Sequence, residues 1–230
     1  MPMPAHLGSF LFVATVLCAA VAQAATVTYS DRTTFLAQLS ASDTDTFDRA
    51  VYASGDVGSL VDFERYSDAG MSAVRGETDF ASTGFSDLHY VGQVVAGLDS
   101  AYCAGCNGSF RLGFTTTSLG TTQGVGGVGV TIDRNSSILS YDAFVTFGDN
   151  STATYDLGTG GRFFGIASDS LVQSIHVTQA SGQPTTDASS GFVIDDLTIG
   201  TLAPVPLGPA LPLMLSGIGA LALMRRRRAA

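Results

Sequence analysis

The sequence predicts an all-β protein, an antiparallel β-sandwich of jelly-roll type with one short helix near its start. Three observations carry that prediction. Apolar and polar residues alternate in run after run, the period at which successive strand side chains change faces. The runs recur at intervals of roughly 8–15 residues and are separated by Gly, Asn, Asp and Ser, as turns separate strands. Of the 20 acidic residues, 18 are Asp and only Glu64 and Glu77 are Glu, which suits turns better than helices.

The elements follow in chain order. Val27 and Tyr29 alternate as a first short strand. Ser30 or Asp31 then caps a helix with Phe35, Leu36 and Leu39 on one face, the one helix expected in the domain. "LVDFE", "LHYVGQVV" and "SFRLGFTT" are the weaker strand candidates. The Thr- and Gly-biased stretch 115–129 reads as turns around strands, with Val128, Val130 and Ile132 alternating at its end. The clearest strand is "ILSYDAFVTF", where Leu139, Tyr141, Ala143, Val145 and Phe147 share a face. "GDN" then turns the chain back into "STATYDL". "RFFGIAS", "LVQSIHVTQ" and "GFVIDDLTIG" add three strands, for about ten in all.

Both ends of the chain depart from this pattern. Residues 7–22 are an apolar run without charge, and Ala22-Gln23-Ala24 offers small residues where a signal peptidase reads. Residues 1–24 are therefore read as a secretory signal peptide, with an uncleaved membrane helix as the alternative. Its n-region carries only the α-amino group and His6. At the other end, residues 202–230 hold four prolines, an apolar stretch and Arg225, Arg226, Arg227 and Arg228. The prolines confine regular helix mostly to 211–224, about 21 Å against a hydrocarbon core of about 30 Å. With snorkelling arginines the segment just spans, and the arginines favour the cytoplasmic side. Its marginal length and terminal position favour a removable sorting helix over a permanent anchor.

The domain between, residues 25–201, suffices for one core. It holds all 20 acids and seven of the 11 arginines, a net charge of 7 − 20 = −13, and the chain has no lysine. Such a surface repels nucleic acid and anionic lipid, which excludes nucleic acid as a partner.

Candidate chemistry is sparse. Cys103 and Cys106 in "YCAGCNG" are read as a local disulfide, with free thiols or a redox or metal pair as alternatives. A second ligand pair is missing, and Asn107-Gly108 signals a turn where a redox helix would begin. His89 lies near Asp87 in "SDLHYV", and an enzyme reading would make it a base. His176 alternates between Ile175 and Val177 and so faces away from them. No nucleophile elbow or zinc-protease motif is present, and no carboxylate pair is marked out as a glycosidase would require. No catalytic residues are assigned, and the protein is read as non-enzymatic.

In "GFVIDDLTIG" strict alternation puts Val193, Asp195, Leu197 and Ile199 on one face and Ile194, Asp196 and Thr198 on the other. One Asp would then enter the core, where an ionised carboxylate needs backbone N–H groups, an arginine or a cation. No cofactor is expected beyond an optional structural Ca²⁺.

The tail resembles the PEP-CTERM class of protein-sorting signals in its VPLPA-like variant. The motif is Val205, Pro206, Leu207, Gly208, Pro209 and Ala210, followed by the apolar stretch and the arginine cluster. Gly208 interrupts the expected Val-Pro-Leu-Pro-Ala, and the glutamate of the main class is absent. "VTYSDRTTFLAQL", "GGRFFGIASDSLVQSIHV" and "GFVIDDLTIG" are similar to the domains that carry such tails. The resemblance implies export through the inner membrane of a Gram-negative bacterium, retention by the tail and processing by an exosortase-type enzyme. Extracellular polysaccharide is the implied surrounding. The last strand also resembles that of jelly-roll carbohydrate-binding modules, which implies Asp195 or Asp196 as a calcium ligand, with Glu64 beside it.

The expectation is a non-enzymatic cell-surface or extracellular-matrix protein. A polysaccharide-binding module is the alternative, with Tyr52, Tyr66, Tyr90 and Tyr102 as the available stacking rings since the chain has no Trp. A secreted hydrolase is the third reading.

Overall fold

The computed structural model describes residues 25–48, 63–84, 88–92, 100–104, 109–132, 140–158, 161–179 and 193–204. Residues 1–24, read as a signal peptide, Tyr52, Asp87, Cys106, Leu139, the expected sorting motif 205–210 and the arginine cluster lie outside these residues.

The described chain is mostly antiparallel β-sheet with two short helices. β1 (Thr26–Tyr29) leads into α1 (Arg32–Leu36), then β2 (Leu39–Asp45) and β3 (Phe63–Ser67). α2 (Asp68–Arg75) is followed by β4 (Asp79–Ser82), β5 (Leu88–Gly92), β6 (Ala101–Ala104) and β7 (Phe110–Gly113). The last five strands are β8 (Val125–Ile132), β9 (Tyr141–Phe147), β10 (Thr152–Gly158), β11 (Arg162–Gln179) and β12 (Ile194–Leu202). All twelve belong to one hydrogen-bonded network with the main order β10-β9-β11-β8-β12-β6-β5-β3.

β11 organises this network. "RFFGIAS" and "LVQSIHVTQ" are not two strands but one of 18 residues. Its first half pairs with β8 and β1, and its second half with β9 and β7. The change of partners falls at Leu171, which has φ 60, and at a register shift between Val172 and Ser174. A bulge bends a strand and increases its twist, and here it redirects one strand from one set of neighbours to another.

Apolar alternation decides what lies inside. β9 alternates buried and half-buried positions throughout, with Tyr141, Ala143, Val145 and Phe147 in the core. Asn150 (φ 64) turns the chain between β9 and β10, and Leu157 joins the same core. Val128, Val130 and Ile132 of β8 meet Ile194, Leu197 and Ile199 of β12 in that cluster.

The glycines of β8 serve the opposite face. Phe35 of α1 is fully buried and lies over Gly127, Gly129 and Gly165. A Cβ at Gly129 would stand 2.7 Å from Phe35 Cε1 and 2.8 Å from Phe163 Cζ. The Gly-Val-Gly-Val pattern thus puts valines into the core and leaves a bare strip for an aromatic ring. Gly129→Val is expected to cost about 1–3 kcal/mol through overpacking, measured by urea denaturation. An unchanged midpoint would show that α1 does not need the bare strip.

α1 forms where expected. Asp31 caps it, accepting from the Thr34 backbone N–H at 2.7 Å and from its hydroxyl at 2.6 Å. These bonds hold the Asp31 carboxyl below its usual range. Leu39 is not on the helix but opens β2. The second helix, α2, was not expected, although its signals are present. Ser67 caps it by accepting from Gly70 N, Asp68 stands in the first turn, and Gly76 ends it at φ 70.

Candidate functional site

The carboxylates expected to hold a cation are not brought together. Ile194, Tyr102, Val91 and Glu64 are successive partners across β12, β6, β5 and β3. Glu64 is therefore three strand spacings from Ile194, about 14 Å, while ligands of one Ca²⁺ converge to within about 2.6 Å of it. Glu64 is 2% exposed and shares the face of Val91 and Tyr102.

Strict alternation also fails in "VIDDLTI". Between Asp195 and Thr198 the register with β8 advances three residues on β12 but two on β8. Asp196 takes φ 50 at this bulge. The extra residue lets Ile194 and Leu197 both reach the core, and neither aspartate enters it. Asp196 instead faces the Arg32 guanidinium at 3.6 Å, and its backbone N–H donates to Asp195 Oδ1 at 2.6 Å. Asp196 thus meets an arginine, one of the partners that a carboxylate at this position calls for, and Asp195 accepts from backbone. Among the described residues no group of three His, Cys, Asp or Glu side chains is placed to hold a metal ion. Chelation with EDTA is expected to leave the melting temperature unchanged, and a fall of several degrees would contradict this geometry.

Among the described residues a buried polar group is centred on His89 of β5, which has no exposed surface. Its Nε2 lies 2.5 Å from Asp68 Oδ1 and its Nδ1 2.7 Å from the Tyr102 hydroxyl. A carboxylate only accepts, so Nε2–H donates to Asp68, and in the neutral ring Nδ1 then accepts from the Tyr102 hydroxyl. The carboxylate that meets His89 is therefore Asp68, 21 positions upstream. Asp68 Oδ1 also accepts from Ser82 N at 3.0 Å, tying the start of α2 to β4 and β5.

Tyr102 is the hub of this group. Its ring stacks on His89 (5.6 Å, 21°) and on Phe47 (5.5 Å, 26°), and packs against Phe80 and Phe110 at 5.1 Å. Burial pushes its hydroxyl well above the usual tyrosine range, with smaller contributions from Cys103 and Asp68, so it remains a donor. The Tyr–His–Asp chain joins α2, β5 and β6, with His89 and Tyr102 fully buried and the Asp68 side chain 44% exposed at its outer end.

His176 faces away from buried Ile175 and Val177, as the alternation requires. Its Nε2 lies 2.9 Å from Thr83 Oγ1, which is 2.6 Å from the buried Ser109 Oγ. Burial first, and then the Arg111 charge, lower its pKa. The folded chain therefore takes up this proton at lower pH than the unfolded chain does. Stability should fall as pH drops below the ordinary histidine value of about 6.5. His176→Gln should remove that component, seen as a flatter melting temperature between pH 7.5 and 5.

Cys103 is buried beside Ala101 and Val193; its expected partner Cys106 lies outside the described residues. Tyr102 is enclosed in the core and offers no face to a sugar, whereas Tyr66 and Tyr90 are half-buried. Comparison with protein families, characterised proteins and solved structures finds no match to the chain.

Proposed function

We propose that this chain is an exported, non-enzymatic surface or matrix protein, delivered by a PEP-CTERM-like tail that an exosortase-type enzyme removes. The observation that carries the reading is the segment 205–230, with its Val-Pro-Leu motif, apolar stretch and four arginines. A signal peptide at 1–24 and a domain charge of −13 agree with a soluble domain held outside the cytoplasm. Further support comes from where the folded strands begin and end. β1 starts at Thr26, just after the expected cleavage at Ala24, and β12 ends at Leu202, just before the motif. Among the described residues no helix is long and apolar enough to cross a membrane; the apolar stretch of the tail is what this reading gives that role.

The reading includes a two-layer sandwich. The strands around the first half of β11 form one layer and those around its second half the other, with the shared cluster of Val128, Val145, Ile175 and Ile194 between them. Mass spectrometry of the mature protein tests the function. A C-terminus between residues 204 and 210 is expected, and an intact arginine cluster would replace sorting by permanent anchoring. For polysaccharide binding, burial of Tyr102 removes one stacking ring, and no signal on a glycan array is expected.

A further inference from the structure

We propose that cleavage after Ala24 creates an ion pair between the new α-ammonium group of Ala25 and the carboxylate of Asp169, locking β1 onto the bend of β11. The inference rests on the export reading above and adds a consequence for the fold. Ala25 N donates to Asp169 Oδ2 at 3.3 Å, and Asp169 N donates back to the Ala25 carbonyl at 3.2 Å. The next cross-strand pair, Thr26 and Ser168, shares a hydroxyl contact of 2.8 Å with Ser168 fully buried. Among the described residues Asp169 has no ion-pair partner.

In the precursor, Ala25 N is an uncharged amide with one hydrogen. Hydrolysis of the 24–25 peptide bond leaves a carboxylate on Ala24 and an amine on Ala25, which takes a proton at neutral pH. The same nitrogen, already directed at Asp169, then carries a full charge and three hydrogens, and charge-assisted bonds are the stronger kind. β1 has few other holds. It pairs only with β11 among the described strands, and Val27 is 48% exposed. Asp169 stands two residues before Leu171, where β11 changes partners. The precursor is thus looser at this edge than the processed protein.

The chain has no lysine, so the α-amino group is the one primary amine in the processed protein. The test is the pH dependence of its acylation by an amine-reactive ester, with exported, processed wild type compared with Asp169→Asn. The wild-type midpoint should lie about 0.2–0.7 pH higher, the range set by an exposed ion pair. Acetylating the amine should lower the melting temperature of wild type and leave Asp169→Asn unchanged. Equal midpoints, or equal losses on acetylation, overturn the lock while leaving export intact. An exported chain that begins at a residue other than Ala25 removes both the cleavage position and the lock.

Discussion

Gly124→Ala is expected to destabilise the protein by about 2–6 kcal/mol. Gly124 has φ +120, and a Cβ there would overlap the backbone carbonyl of Val172. Left-region strain of about 1–3 kcal/mol adds to overpacking of about 1–3 kcal/mol, and backbone cannot swing aside as a side chain can. The position also closes the 121–124 turn, where Thr121 and Gly124 exchange two backbone hydrogen bonds of 2.9 Å. A clash here pushes β8 away from the bend of β11, on which both strand sets depend. Guanidinium denaturation gives the loss directly, and a change below about 1 kcal/mol would show that the close approach is not needed.

Tyr102→Ala carries the second large effect, about 3–5 kcal/mol, as for other large aromatic truncations in cores. It removes the ring that Phe47, Phe80, His89 and Phe110 pack against. Tyr102→Phe separates the two contributions. It keeps the ring and takes away only the hydroxyl on His89 Nδ1, the loss of one buried hydrogen bond worth about 0.5–1.5 kcal/mol. If Tyr102→Phe were neutral, the hydrogen-bonded chain would contribute nothing to holding α2, β5 and β6 together.

The two effects differ in how visible they were in the sequence. "GVGVTID" read correctly as a strand with Val128, Val130 and Ile132 on one face, because period two is a local property. Nothing local says that its glycines lie under Phe35, a partner about 90 positions upstream. α2 was legible in principle through Ser67, Asp68 and Gly76, but Gly70 inside it and a single turn pair of apolar residues weakened its periodic signal. Sequence distance alone offers Asp87 as the carboxylate near His89. Asp68 reaches it because α2 folds back over β5. The alternation of "VIDDLTI" was read without a bulge, and one extra residue reversed which side chains share a face.

The sequence by itself determined the class of fold and the inward faces of its longer strands. Those properties depend on period, composition and turn chemistry, all of which act within a few residues. Only the tertiary structure decided that β11 is one bent strand, that Asp195 and Asp196 stay out of the core, and that Asp68, His89 and Tyr102 form one chain. Each of these is a pairing between distant segments, set by which burial and hydrogen-bond demands are met together when the whole chain packs.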